Sequence, residues 1–276
     1  MNTSTPHPAA AAIACDHELL APVTAAVHAA GARLLERFGA HAHLASLDDV
    51  VRAIHANDAA SLAVLREALM TAHPGAGWVE DELEGGMLPP GDWWITDPVE
   101  GNINHVHGQP DWGVTATLVR DNVPVLTVVH VPLTGRTYTA VRGGGAFVDG
   151  VPLRPSAKTE LRSAMVATGQ ARPGESSETY RRIGQSVTAM LASALVVRVT
   201  VPATFQLVLV AGGQMDAFWQ HSRVRSGLVS GALLVEEAGG VISDLQGRPW
   251  RLDSEDFLAA APGLQREAVQ TLSAMA

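Results

Sequence analysis

The stretch Trp93-Trp94-Ile95-Thr96-Asp97-Pro98-Val99-Glu100-Gly101-Asn102-Ile103-Asn104-His105-Val106-His107 carries the reading of this chain. Its first four residues have the β-branched and aromatic character of a strand. Asp97 closes that strand, and Pro98 bends the chain and withholds a backbone donor. Glu100 and Gly101 then lead into a short helix, so carboxylates gather beside free helix N–H groups, an arrangement that suits a metal and an anion together. Just upstream, Gly77-Trp78-Val79-Glu80-Asp81-Glu82-Leu83-Glu84 adds a second acidic strand end. Most acidic clusters only solvate loop ends; here the order of the residues argues for more.

Outward from this stretch the chain divides into two styles. On the N-terminal side, Leu19, Leu20, Val23, Val27, Leu34, Leu35 and Phe38 share one helical face, with Asp16 as the expected N-cap. A second helix is expected from Asn57 and Asp58 to the His73-Pro74-Gly75 stop. Strand-like runs follow at 77–79, 93–96, 113–119, 123–131 and 137–141, with Asp121-Asn122 as a hairpin turn and Gly143-Gly144-Gly145 as punctuation. On the C-terminal side, strands at 164–168, 195–201, 216–219, 241–244 and 257–260 alternate with helices at 177–192, 203–211, 227–238 and 264–275. Strands grouped in one half and alternation in the other predict a layered α/β (α+β) sandwich. The expected organisation is a disordered lead-in at 1–15, an N-terminal α+β half at 16–155 carrying the carboxylates, and a C-terminal α/β half at 156–276, the two halves forming one compact unit.

Composition narrows the function. The 276 residues are 47% hydrophobic and 17% charged, which provides a large core and excludes a disordered chain. Nineteen basic against 28 acidic residues, a net charge of −9, argue against nucleic-acid or anionic-membrane binding and for a small-molecule partner. Lys158 is the only lysine, a compositional bias towards arginine. Cys15 is the only cysteine, which rules out an intrachain disulfide and a cysteine-based zinc site. No apolar run approaches the ~20 residues of a membrane helix and no basic signal segment leads the chain, so the expected location is cytoplasmic.

These motifs resemble those of the inositol monophosphatase superfamily, the magnesium-dependent, lithium-sensitive phosphatase fold that includes fructose bisphosphatases. The family's DPxDGTxNFxH pattern is similar to residues 97–107, and its EAGG to Glu237-Ala238-Gly239-Gly240. Its GxGAFxNG turn is similar to residues 143–150, and its VAxGxxDAY segment to residues 210–219. The resemblance runs from about Asp16 to the C-terminus and implies an α-β-α-β-α sandwich and a dimer, with itself or with another chain.

It also implies a ligand set, which this chain alters. The family's magnesium ligands fall on Glu80 or Asp81, on Asp97 and on the carbonyl of Val99. Glu100 replaces an aspartate ligand, and Asn102 replaces a threonine that helps activate water. Counting back from Glu237 puts the family's distant metal-binding aspartate on Gly227, which has no side chain, and its substrate-hydroxyl glutamate on Gln220. The scaffold motifs survive while the chemistry positions change, so at most one weak Mg²⁺ site is expected. Anion binding is expected from the backbone at Gly101 and Asn102, from His105 in place of the family's phenylalanine, and from Arg223 and Arg225. His105 and His107, two apart, would share a face on a strand. Three readings stay open: a degenerate-site protein repurposed to bind or act on a phosphorylated or sulfated small molecule, a Mg²⁺-dependent phosphomonoesterase with variant ligands, and a non-catalytic subunit supporting an active partner.

Overall fold

The computed structural model describes residues 8–39, 44–80, 85–171, 174–221 and 225–274. Helices α1 (Pro8–Leu35) and α2 (Leu47–Ala72) open the chain, and a seven-stranded sheet follows. Its strands are β1 (Gly77–Trp78), β2 (Asp92–Glu100), β3 (Gly113–Arg120), β4 (Val123–Val131), β5 (Arg136–Val141), β6 (Gly145–Val148) and β7 (Val151–Pro152), and they lie side by side in chain order. Only β1 and β2 pair in parallel. The short helix α3 (Asn102–Val106) interrupts this meander after β2.

The C-terminal elements are β8 (Met165–Thr168), α4 (Ser177–Ser193), β9 (Val196–Val199), α5 (Ala203–Ala211), β10 (Ala217–Gln220), α6 (Ser226–Ala238), β11 (Val241–Ser243), β12 (Phe257–Ala260) and α7 (Gln265–Ser273). They build a second sheet of order β11-β12-β10-β8-β9, in which β8, β9 and β10 are parallel and β12 runs antiparallel to both its neighbours.

Alternation along the strands shows how the layers stack. On β4, Leu126 and Val128 join Val23, Val27, Leu65 and Leu69 of α1 and α2. Val129 and Val131 face the other way, onto Leu207, Val208, Leu233 and Leu234 of α5 and α6. On β10, Phe218 packs with α5 and α6, whereas Ala217 and Trp219 pack with Met190 of α4 and Ala268 and Leu272 of α7. The result is the layered α/β sandwich expected from the element pattern, in the α-β-α-β-α order that the family resemblance implied. Where α5 crosses α6, a Cβ on Gly231 would stand 2.3 Å from Leu207 Cβ, so glycine sets that close approach. Among the described residues no helix is long and apolar enough to cross a membrane.

The expected helix starts need correction. α1 begins at Pro8, so residues 8–15 are helical and are not a lead-in, while 1–7 lie outside the described residues. Proline suits the first helical position and the alanine run 9–12 is strongly helix-forming. Asp16 caps nothing: buried within α1, it accepts from both terminal nitrogens of Arg120 on β3 at 3.0 and 2.9 Å. α2 likewise starts at Leu47, capped by the Ser46 hydroxyl on Asp49 N–H, and Asn57 and Asp58 lie inside it. The Asp121-Asn122 turn is as expected, with φ of 49° and 67° joining β3 to β4. Strands β6 and β7 were missed, because Gly143-Gly144-Gly145 masked the start of one and the other is only two residues long.

Candidate functional site

The site forms where β2 stops being a regular strand. Asp97 pairs with Thr115 and Glu100 with Gly113, so three steps on β2 oppose two on β3. This bulge sits at Pro98, which has no N–H to give the ladder. The Pro98 carbonyl instead accepts from Ser61 Oγ of α2 at 2.6 Å, and Val99 N–H turns back to Asp97 Oδ1 at 3.0 Å. That fold-back brings the carboxyl groups of Asp97 and Glu100 close enough for each to feel the other's charge. Burial, then the charge of Glu100, then that of Asp58 hold Asp97 well above the usual carboxylate range. Without a cation, the pair therefore favours keeping a proton over carrying two charges.

Glu100 is 4% exposed, and its Oε2 accepts from Thr204 Oγ1 of α5 at 2.6 Å. The same hydroxyl stands 3.0 Å from the carbonyl of Gly227 on α6. The longer side chain of Glu100 thus reaches towards the backbone of the residue at which the resemblance placed a second acid. Gly101 follows with φ +78°, and a Cβ there would lie 2.5 Å from the Asp111 carbonyl, so only glycine lets the chain enter α3 here.

Asn102 turns from the Asp97–Glu100 pair towards α2. Its amide donates to Asp58 Oδ1 at 2.7 Å and to the Ile54 carbonyl at 3.1 Å, and its oxygen accepts from Asn57 Nδ2 at 2.9 Å. An amide holds this position but cannot relay a proton as a hydroxyl does. Burial raises the Asp58 carboxyl above its ordinary range.

The structure places His105 apart from any anion seat. Its Nδ1 meets Asn57 Nδ2 at 3.0 Å and its Nε2 meets the Leu34 carbonyl at 3.0 Å, a pattern satisfied by the neutral Nε2–H tautomer. Burial lowers its pKa further, and the ring packs edge-on to Trp112 at 4.6 Å. His105 is a packed, neutral core histidine. His107 caps the other end of α3, exposed and bonded to the Ile103 carbonyl, so the two histidines are not on a strand as the spacing allowed.

Other expected site residues are scattered. Glu80 is exposed and paired with Arg66, 2.9 and 2.5 Å away, so it turns from the site. Asp81 and Arg223 lie outside the described residues. Val99 buries its side chain against the α1/α2 core. Gln220 is buried at the end of β10, with its oxygen 2.6 Å from where a Cβ on Gly169 would stand. Arg225 is buried and donates from Nη2 to the Gly85 carbonyl at 2.7 Å, tying the start of α6 to the segment after β1. Among the described residues no three Asp, Glu, His or Cys side chains converge closely enough to hold a metal ion.

Asn57 and Asp58 were expected only as the start of α2, not as site residues, and Thr204 was not singled out from the sequence. Asn57 had a signal: with Ser61, Leu65 and Leu69 it forms the buried stripe of α2 at four-residue spacing, which marks a polar residue turned inward rather than a cap. Thr204 had none, since it lies 104 residues from Glu100.

Known proteins fit this architecture. The model of the inositol monophosphatase family matches residues 16–275. An inositol-1-monophosphatase of Rhizobium meliloti is 32% identical over 232 residues, covering 83% of this chain and 86% of that protein. A putative Nus factor SuhB of Neisseria meningitidis serogroup B is 30% identical over 178 residues, 64% of this chain and 67% of the relative. Among solved structures, the extragenic suppressor protein suhB of Bartonella henselae superposes with a TM-score of 0.76 at 24% identity, covering 93% of this chain and 99% of that one. The inositol monophosphatase of Anabaena (Nostoc) sp. PCC 7120 gives the same TM-score and identity over 94% and 96%. With its family motifs, its layered fold and a family match along nearly its whole length, the chain belongs to the inositol monophosphatase family.

Proposed function

We propose that this family member has a degenerate metal centre and is repurposed to bind or transform a phosphorylated or sulfated small molecule. The anionic group would lie against the backbone N–H groups at Gly101 and Asn102. The observation that carries this reading is the buried bond from Thr204 to Glu100 beside the carbonyl of Gly227. Glu100 is engaged by protein, and no side chain stands at Gly227 to oppose it.

The family typically uses Mg²⁺. The described residues fit one such ion at most, held by Asp97, Glu100 and the Val99 carbonyl; they do not fit an array of two or three, which needs more paired carboxylates. A bound Mg²⁺ would polarise a phosphoryl oxygen. The protein's own contribution is the Asp97–Glu100 pair, which can take or give a proton at the anion, and Asp58 with Asn102, which fix the start of α3.

Calorimetric titration with Mg²⁺ should show no site tighter than roughly millimolar, because this ion surrenders its waters reluctantly to an incomplete carboxylate set. Phosphate release from inositol phosphates and common sugar phosphates should stay near background. Two micromolar Mg²⁺ sites, with turnover abolished by Asp97→Ala, would overturn the proposal and establish an ordinary phosphomonoesterase.

A further inference from the structure

Consecutive residues of a strand face opposite sides of a sheet. On β10, Phe218 and Gln220 face the α5/α6 layer, where the candidate centre lies, and Trp219 faces α4 and α7. His221, the next residue, continues the Trp219 side. There it lines a cavity of about 920 Å³ between α4, α7 and the 244–256 loop that joins β11 to β12. Gln220 and His221 thus belong to opposite sides of the second sheet.

The cavity has the composition of a ligand site. Arg182 of α4 and Arg248 and Arg251 of the loop bring guanidinium groups to it, and Leu245, Pro249 and Leu272 supply apolar wall. Arg248 bonds Asp244 and Arg251 lies 3.4 Å from Asp253, so each has its own counter-charge. Arg182 does not: its Nε shares Glu178 with Arg181, one carboxylate serving two guanidinium groups. Among the described residues, the Nη groups of Arg182 make no hydrogen bond.

At the inner side, the buried Nε2 of His221 has no hydrogen-bond partner among the described residues. Burial and the nearby charge of Arg182 press the imidazole down to about 4, so it is neutral at pH 7 and can give or accept one hydrogen bond. Asp256 accepts from Leu245 N–H at 2.8 Å, and burial raises its carboxyl above the ordinary range. Exposed Asp253 and Glu255 complete the lining.

We propose that this cavity is a second ligand site, separate from the Asp97–Glu100 centre, for a hydroxylated organic phosphate. Its phosphate would pair with the Nη groups of Arg182, planar donors matched to phosphate oxygens. A hydroxyl of its body would meet His221 Nε2. The volume falls within the usual range for organic ligands and exceeds what a bare phosphate fills. The assignment does not depend on whether the candidate centre is degenerate or active.

The test is NMR of the His221 imidazole, assigned with His221→Gln, during titration of the full chain at constant ionic strength and with chelator present. Inorganic phosphate should shift the His221 ring signals, and glucose 6-phosphate should do so at lower concentration. Arg182→Gln, at a side chain 59% exposed and so tolerable to the fold, should raise the half-saturating concentration about tenfold. Asp97→Asn should leave the His221 response unchanged. A ring that ignores both probes, or responds equally in Arg182→Gln, overturns the site. An equal or weaker response to glucose 6-phosphate overturns the organic ligand and leaves inorganic phosphate alone. Loss of the response in Asp97→Asn would mean that His221 senses the candidate centre, which overturns a separate site.

Discussion

Two parts of the molecule carry family motifs and treat them differently. At the junction of 143–145 with α6, Glu237 accepts from the N–H of Gly143 at 2.9 Å and of Gly145 at 3.0 Å, and Arg142 bonds the adjacent Glu236 at 3.0 Å. The motif glutamate there is bonded to the motif glycines. At 97–107 the residues are bonded to distant parts of the chain: Glu100 holds Thr204, Asn102 holds α2, and His105 fills a neutral niche. A scaffold motif fails when a buried or half-buried backbone group loses its acceptor. A chemistry motif can drift as long as each new polar group is bonded locally, because the fold does not require the reaction.

This contrast can be broken by mutation. The largest effect is expected at the junction: Glu237→Ala leaves one exposed and one half-buried N–H group without their charged acceptor and should cost about 2 kcal/mol, read as a lower urea midpoint at unchanged slope. An unshifted midpoint would show that the junction is as tolerant as the centre.

A smaller effect is expected from acid. Burial, then the charge of His28, lowers His130 to about 4 on β4. An unfolded histidine titrates near 6.5, so on acidification the unfolded chain takes the proton first. This contribution is full above pH 6.5 and is lost as the pH falls towards 4, at roughly 1–2 kcal/mol for a partly buried ring. His221, depressed to a similar value, acts in the same window, so the slope of stability against pH should flatten stepwise in His130→Asn and in the His130→Asn/His221→Asn double variant. A slope unchanged in both variants would exclude these rings as its source.

The smallest effect has the opposite sign. Asp97→Asn removes a desolvated carboxyl crowded by Glu100 and Asp58, and with chelator present it should raise stability by about 1 kcal/mol. Destabilisation instead would make the Asp97–Glu100 pair part of the scaffold, and the distinction between the two regions would fall.

Local chemistry in the sequence determined most of the order of elements, the β3–β4 hairpin at Asp121-Asn122, the grouping of strands in one half with alternation in the other, and the position of the 97–107 loop. Each rests on periodicity or on turn and strand-end residues within a few positions. The same local signals misplaced the starts of α1 and α2, because Asp16, Asn57 and Asp58 have the chemistry of caps but are turned inward by tertiary packing. What only the tertiary structure decided is which groups meet at the centre. Glu100 reaches Thr204 across 104 residues, His105 reaches the Leu34 carbonyl across 71, and Glu80 turns outward to Arg66. Such contacts follow from the bulge at Pro98 and from how α5 and α6 seat between two sheets, and no spacing along the chain encodes them.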